Sequence, residues 1–323
     1  MVQTIVCDAA FRLCDTAIVN NKLRAWLLIV GTAAICGAAV WGVALYRART
    51  LRPAALLKRL PTSDTLVLYV DFSALRSANI LAILESQKIT EDPEYQDFVR
   101  KTDFDYKRDL DTALVAFAPA GKFLLLRGRF DWKSLRAYVE SESGNCYNTL
   151  CRMPGSTQDR RISFFPLQSN LMALAVSNDD SAALRMQNPG AGPQPEIPDA
   201  PLWLAVPNSI LKSGVDLPAG TRPFARSMEN VQSLTISFAP EGNRLAARLN
   251  ARCRSSQEAA ALAGELSRTT DLLRQMIARE NHSPNPADLS GVLTAGSFHQ
   301  TDTRVIGYWP IERSFVENLL GGS

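Results

Sequence analysis

Two cysteines offer the clearest chemistry in the chain. Cys146 and Cys151 form a C-x4-C pair within GNCYNTLCRMPGS, a segment rich in turn residues. Such a spacing can close a small loop and bring the two Cα atoms to about 5.5 Å, the usual disulfide separation. A disulfide would require an oxidising compartment, and two free thiols remain the alternative. A metal site would need a second ligand pair, which Cys253 and two isolated histidines do not supply at a recognised spacing.

Motifs for catalysis are weak. Ser209 and Lys212 fit the S-x-x-K pattern, in which a lysine activates a serine nucleophile, but the companion S-D-N and K-T-G motifs are missing. A serine that caps a helix is the better explanation of Ser209, because the matching position in the first of the two similar segments is also a serine at a helix start. His282 and His299 have no partners at motif spacing, and neither a G-x-S-x-G elbow nor a P-loop is present. The sequence therefore predicts a non-enzymatic protein with no catalytic, cofactor-binding or metal-binding residues.

An acidic run lies between Asp103 and Asp111, with the sequence DFDYKRDLD. Carboxylates in this density could attract Ca²⁺, but the glycine and the terminal glutamate of an EF-hand loop are absent. Lys107 and Arg108 partly neutralise the run. We therefore expect a solvated turn that precedes a strand at Ala113.

Residues 25–46 contain no charged side chain and are bracketed by Arg24 and Arg47. An α-helix of this length can cross a hydrocarbon core of about 30 Å. The sequence thus predicts an uncleaved transmembrane helix that contacts the lipid bilayer, between an N-terminal tail at 1–24 and a basic linker at 47–60. The positive-inside rule weakly places the large domain in the cytoplasm, whereas a disulfide would place it outside.

The folded region contains two similar segments. Phe117–Gly121 and Phe238–Gly242 share the pattern FAP-x-G, and flanking residues match at a constant offset of 121. We interpret the region as α+β, with two tandem β-α-β-β-α-β-β-α units at 61–187 and 201–320, ferredoxin-like in element order. A linker rich in proline and glycine separates the two units.

A long apolar periodicity in the second unit, at 256–280, predicts a helix. This helix could cover the core, or it could bind a partner or form a dimer. The net charge of +3 is small, so the composition gives no sign of nucleic-acid binding.

The segments FDYKRDLDTALVAFAP, KFLLLRGRFDWKSLRAYV and RRISFFPLQSNLMALAVS carry a family resemblance. In these segments the chain resembles uncharacterised, single-pass, membrane-anchored bacterial proteins of the kind seen in Acidobacteria-like genomes. The resemblance covers roughly residues 60–186 and implies an extracytoplasmic domain. It transfers no catalytic residues.

Taken together, these patterns predict a membrane-tethered, non-enzymatic binding or assembly module of the bacterial cell envelope. They place it in the inner membrane as a single-pass protein with its C-terminal domain in the periplasm, and they suggest an envelope protein as partner. A cytoplasm-facing accessory subunit is one alternative. An envelope hydrolase that uses Ser209 or His299 is another.

Overall fold

A computed structural model describes residues 52–81, 93–157, 159–190, 194–212, 222–242, 244–280 and 283–321. The chain divides into two compact units, Met1–Ala55 and Leu56–Ser323. The first unit lies almost entirely outside the described residues, and all the described strands belong to the second. The predicted tail at 1–24 lies outside the described residues.

Strands and helices are interspersed along the described part of the chain. The strands are β1 (Leu66–Asp71), β2 (Leu110–Ala118), β3 (Gly121–Gly128), β4 (Asn145–Tyr147), β5 (Leu150–Pro154), β6 (Arg161–Gln168), β7 (Leu171–Ser177), β8 (Leu202–Val206), β9 (Ser233–Glu241), β10 (Arg244–Arg252), β11 (Ser297–Thr301) and β12 (Arg304–Ile311). The helices are α1 (Pro53–Leu57), α2 (Phe72–Ser77), α3 (Pro93–Thr102), α4 (Tyr106–Asp109), α5 (Trp132–Ser141), α6 (Asn208–Lys212), α7 (Arg222–Ser227), α8 (Ser256–Arg279), α9 (Leu289–Thr294) and α10 (Arg313–Gly321), with a 3-10 helix at Ala182–Met186.

All twelve of these strands join one sheet, in the order β11-β12-β10-β9-β8-β1-β2-β3-β7-β6-β5-β4. Every neighbouring pair is antiparallel. The two halves meet at the centre, where β1 pairs with β8 and Tyr69 lies opposite Trp203. The rings of these two residues stack at 5.5 Å, and Trp203 is fully buried.

The prediction of two ferredoxin-like units in tandem is therefore wrong. In a split βαβ motif the two strands that a helix connects run parallel and are separated by another strand. In this sheet β1 and β2, with α2, α3 and α4 between them in the chain, are direct antiparallel neighbours. Here the β2–β3 hairpin and its counterpart β9–β10 extend one continuous antiparallel sheet outward from the β1–β8 pair. The order of elements along the chain was compatible with both arrangements, because it does not specify which strand edges pair.

The prediction of a single-pass inner-membrane protein also needs correction. Within the described ranges, none of the helices combines the length and the apolar character needed to cross a membrane. The predicted span at 25–46 lies outside the described residues. The transmembrane and inner-membrane assignments are therefore not retained.

Side chains alternate between the two faces of the sheet. On the first face, Phe123 and Leu125 of β3 and Ala173 and Ala175 of β7 are fully buried. On the second face of the C-terminal half, α8 packs directly against the strands. Its inward residues Leu262 and Leu266 join Leu249, Ala251 and Val305 in one apolar cluster.

Residues just before β1 also belong to the core. Leu56, Leu57 and Leu60 are buried, and Arg59 donates hydrogen bonds to the carbonyl oxygens of Met186 and Gln187. This part of the predicted basic linker is therefore packed against the folded unit.

Helix starts follow from local side-chain chemistry. Asp71, Asp105 and Asp131 each accept a hydrogen bond from a backbone N–H in the first turn of α2, α4 and α5, and so satisfy donors that the helix leaves open. Ser255 does the same for α8 by accepting from the Glu258 N–H, and the Glu258 carboxylate accepts from the Arg254 N–H.

Candidate functional site

The second face of the N-terminal half differs from the rest of the sheet. Leu124 and Leu126 of β3 and Leu174 of β7 are only half-buried, although helices cover them. Their neighbours on the first face, Phe123 and Leu125, are fully buried. The helices on the second face therefore do not fill the space above the strands.

This space is an apolar cavity of about 460 Å³, partly open to solvent. Its volume falls within the range of about 300–1,000 Å³ that is typical of small-molecule sites. Its wall consists of apolar and aromatic side chains from the sheet and from α2, α4 and α5, together with α3 and nearby loops: Phe72, Phe98, Phe104, Tyr106, Leu110, Ala113, Leu124, Leu126, Phe130, Leu135, Tyr138, Met153, Ile162, Phe164, Met172 and Leu174.

Aromatic contacts hold the helical side of the cavity together. The Phe98 ring of α3 meets the Tyr138 ring of α5 edge-on at 5.0 Å and the Phe104 ring at 6.0 Å. Phe104 in turn stacks on Phe130 at 5.5 Å. Pairs of this kind stabilise by about 0.5–1.5 kcal/mol beyond the area that they bury. The helical side of the cavity is thus a connected set of aromatic rings that bridges α3 and α5.

Helix α5 supplies two lining residues, Leu135 and Tyr138, and its start is fixed by Asp131. The Asp131 carboxylate accepts from the N–H groups of Lys133 and Ser134 at 2.9 and 3.3 Å, and from the Ser134 hydroxyl at 2.7 Å. These bonds hold the pKa of Asp131 below its usual value. The carboxylate is therefore ionised at neutral pH and can cap the helix.

Several polar groups beside the cavity are engaged with one another. The Tyr95 hydroxyl donates to Asp105 Oδ1 at 3.0 Å and accepts from the Tyr106 N–H at 3.3 Å. Lys101 Nζ contacts both Asp97 Oδ2 and Glu142 Oε1 at 2.8 Å. Burial raises the pKa of Tyr138, and the nearby Glu142 carboxylate raises it further, so this phenol at the cavity wall stays neutral.

The acidic run 103–111 contains one buried carboxylate, which departs from the expected solvated turn. The Asp109 side chain is 9 % exposed, and it contacts Arg108 at 2.8 Å and Arg129 at 3.0 Å. Burial alone would raise the pKa of Asp109, but hydrogen bonds from Arg108 and the Asp105 N–H, with the charges of Arg108 and Arg129, hold it below its usual value. Asp109 therefore anchors the turn from α4 into β2 as an ion.

Cys146 and Cys151 form a disulfide across the β4–β5 hairpin, with their Cα atoms 4.0 Å apart. Both cysteines pack in the apolar cluster that includes the cavity residues Leu135 and Phe164. The bond therefore fixes the strand pair that brings Met153 to one end of the cavity. Cys253 is a free, buried thiol in the other half.

The residues considered for hydrolysis are not brought together. Ser209 is exposed at the start of α6, where its hydroxyl donates to the Asp64 carboxylate. His299 is exposed on β11 at the far edge of the sheet, and His282 lies outside the described residues. Among the described residues, no three histidine, cysteine or acidic side chains form a group that could hold a metal ion.

No family model and no curated protein matches the chain. Among solved structures, the chain is similar to TP0453. Crystal form I of TP0453 gives a TM-score of 0.48 at 12% identity, covering 83% of this chain and 98% of TP0453. Crystal form IV gives 0.43 at 11% identity, covering 82% and 96%.

The cavity was not anticipated from the sequence. One signal was present, since β3 (KFLLLRG) and β7 (LMALAV) carry apolar residues on both faces and therefore need cover on both sides. That signal predicts burial, and it does not distinguish a filled core from an open cavity.

Proposed function

We propose that this protein is a non-enzymatic binding module whose apolar cavity takes up a hydrophobic small molecule. The single observation that supports the proposal is the wall of the cavity, which is built from apolar and aromatic side chains and is partly open to solvent. An apolar ligand that enters would gain about 25 cal/mol for each Å² of apolar surface removed from water. The site needs no reactive group to do this.

The disulfide supports placing this binding activity in the cell envelope. Disulfides persist in oxidising compartments and are rare in the cytoplasm, where thiols are kept reduced. The Cys146–Cys151 bond belongs to the hairpin beside the cavity, so the same environment would maintain the hairpin and the site. This argument disfavours a cytoplasm-facing accessory subunit.

The test is titration of the purified protein with N-phenyl-1-naphthylamine, a dye that fluoresces in apolar surroundings. We expect saturable binding of one dye per chain. Leu126→Gln places an amide in the cavity wall and should weaken dye binding at least about tenfold, because apolar contact is lost and the amide must be desolvated. Leu272→Gln is the matched control, since Leu272 is exposed on α8, and it should leave dye binding unchanged.

Circular dichroism establishes that both variants are folded. Absence of saturable dye binding by the folded wild-type protein would contradict the proposal. Equal loss of binding in the two variants would also contradict it, because the dye would then not occupy the cavity.

A further inference from the structure

The floor of the cavity is long and narrow. It is formed by five neighbouring strands, β2, β3, β7, β6 and β5, and each contributes only one or two lining residues. Strands lie about 4.8 Å apart, so five strands span about 19 Å. Two residues on the same face of one strand are only about 7 Å apart. The floor is therefore a trough that runs across the strands.

Strand register gives the trough its direction. Ala113 lies opposite Leu126, and Leu126 lies opposite Met172. At the other end, Ile162 lies opposite Met153 and is displaced along the strands from the Ala113 row. The lining residues thus follow a diagonal path from β2 to β5.

The floor also turns along its length. Neighbouring strands in a sheet rotate by about 20–25° relative to one another, so the floor rotates by about 80–100° between β2 and β5. A rigid flat molecule cannot keep contact with a surface that turns by this amount. A flexible chain can follow it, and Met153 and Met172 offer adaptable side chains along the path.

We propose that the ligand is a single-chain amphiphile whose hydrocarbon tail lies along this trough while its polar head stays at the open side. The inference rests on the proposed function and names the class of ligand. The diagonal path combines about 19 Å across the strands with about 13 Å along them, since Ile162 lies opposite Val176, four residues from Met172, and is therefore about 23 Å long. With bond lengths like those of the backbone, an extended alkyl chain advances about 1.3 Å per carbon, so the trough holds about eighteen carbons.

None of the described residues that line the cavity carries a charge, so they offer the polar head no ion pair. The Tyr95 hydroxyl is engaged with Asp105, and the Trp132 ring N–H donates to the Ser169 carbonyl oxygen at 3.0 Å. Lys101 is held between Asp97 and Glu142. A head group drawn into the cavity would lose its hydrogen bonds to water, and only the Tyr106 and Tyr138 phenols line the cavity to replace them. The site therefore selects the tail and has no charged group that would distinguish one head from another.

The experiment measures displacement of N-phenyl-1-naphthylamine from the full chain by saturated straight-chain fatty acids, each below its micelle concentration. Burial of one methylene contributes about 0.8 kcal/mol, which is about fourfold in Kd. We expect the Kd to fall about fourfold per added carbon up to about eighteen carbons and then to level off. The alcohol of the same length should bind within about threefold of the acid.

A variant at one end of the trough tests the location. Ala113→Phe fills the β2 end and should make the Kd level off about three carbons earlier, since a phenyl ring occupies about 4 Å of the path. Ala261→Phe is the control, because Ala261 is exposed on α8, and it should leave the length dependence unchanged.

The outcomes separate this inference from the proposed function. If the dye binds but its displacement does not depend on chain length, or if a rigid fused-ring sterol displaces it better than a sixteen-carbon acid, the cavity still binds apolar molecules and the single-chain inference is overturned. If the acid binds far more tightly than the alcohol, head-group recognition replaces tail selection. If neither dye nor fatty acid binds the folded protein, both proposals fall.

Discussion

Asp109 keeps a negative charge at a place that water hardly reaches. Its carboxylate accepts from the Asp105 N–H and contacts Arg108 and Arg129, which tie α4, β2 and the start of the loop before α5 to one another. Because Leu110 follows it directly and lines the cavity, Asp109 fixes the backbone at the β2 end of the floor.

We predict that Asp109→Asn lowers the free energy of unfolding by about 2 kcal/mol at neutral pH, because hydrogen bonds to a charged group are lost. The folded state holds the pKa of Asp109 below its usual value, so the carboxylate stabilises the fold at neutral pH. That stabilisation is lost as the pH falls below about 4 and through the lowered pKa. Urea unfolding across this pH range should show the free energies of unfolding of the wild type and of Asp109→Asn converging as the pH falls.

Asp103→Asn is the matched control for this prediction. Asp103 also contacts Arg108, but its side chain is 94% exposed. An exposed pair contributes little, so the variant should stay within about 0.5 kcal/mol of the wild type. Equal losses of unfolding free energy in Asp109→Asn and Asp103→Asn would contradict the prediction that the burial of Asp109 makes its ion pairs stabilising.

Each FAP-x-G turn joins two strands of a hairpin. The two turns share a sequence pattern, but the packing around their glycines differs. Gly121 has a φ of 140° and Gly242 a φ of 62°, both in the region that favours glycine. A Cβ at Gly121 would lie 2.5 Å from the Val176 carbonyl oxygen, whereas a Cβ at Gly242 would meet nothing within 4 Å. Only the first turn is closed in by a neighbouring strand.

We therefore predict different costs for the same substitution. Gly242→Ala should lower the free energy of unfolding by about 1 kcal/mol, the cost of a left-handed backbone. Gly121→Ala should cost at least about 3 kcal/mol, because the backbone strain is combined with overlap between β2–β3 and β7. Chemical denaturation of the two variants measures the difference, and similar costs would contradict the close packing at Gly121.

The sequence predicted many individual elements but not their assembly. The FAP-x-G turns, the alternating strands around them and the long helix α8 all follow from local periodicity and turn chemistry. The pairing of strands at the centre of the sheet joins edges that lie far apart in sequence. The local pattern of residues therefore could not predict that β1 pairs with β8. Asp109 looked solvated because its partner Arg129 lies 20 residues away.

The whole folded unit depends on the β1–β8 pair that joins its halves. Val67, Leu68, Tyr69 and Val70 of β1 pair with residues of β8, and the stacked Tyr69 and Trp203 rings lie in this seam. Burial raises the pKa of Tyr69 to about 12, with the Asp71 carboxylate adding to the effect, so its phenol is neutral at the seam. The two halves share one core here, and we expect them to unfold together.

We predict that Trp203→Ala lowers the free energy of unfolding by about 3–5 kcal/mol, as is typical when a large buried ring is removed. Trp203→Phe keeps an aromatic ring for Tyr69 to stack on and should cost only about 1.5 kcal/mol. Guanidinium denaturation followed by circular dichroism should show one transition in both variants. Two separated transitions in Trp203→Ala would contradict a shared core.

The β4 edge of the sheet has a further consequence for the behaviour of the protein in solution. A sheet of this width ends in two edges, and an exposed strand edge can pair with another chain and start aggregation. Strand β4 closes one edge with only three residues, and the disulfide ties it to β5. The bond that stiffens the cavity wall thereby also keeps a short, fixed edge in place, which protects the protein against edge-to-edge association.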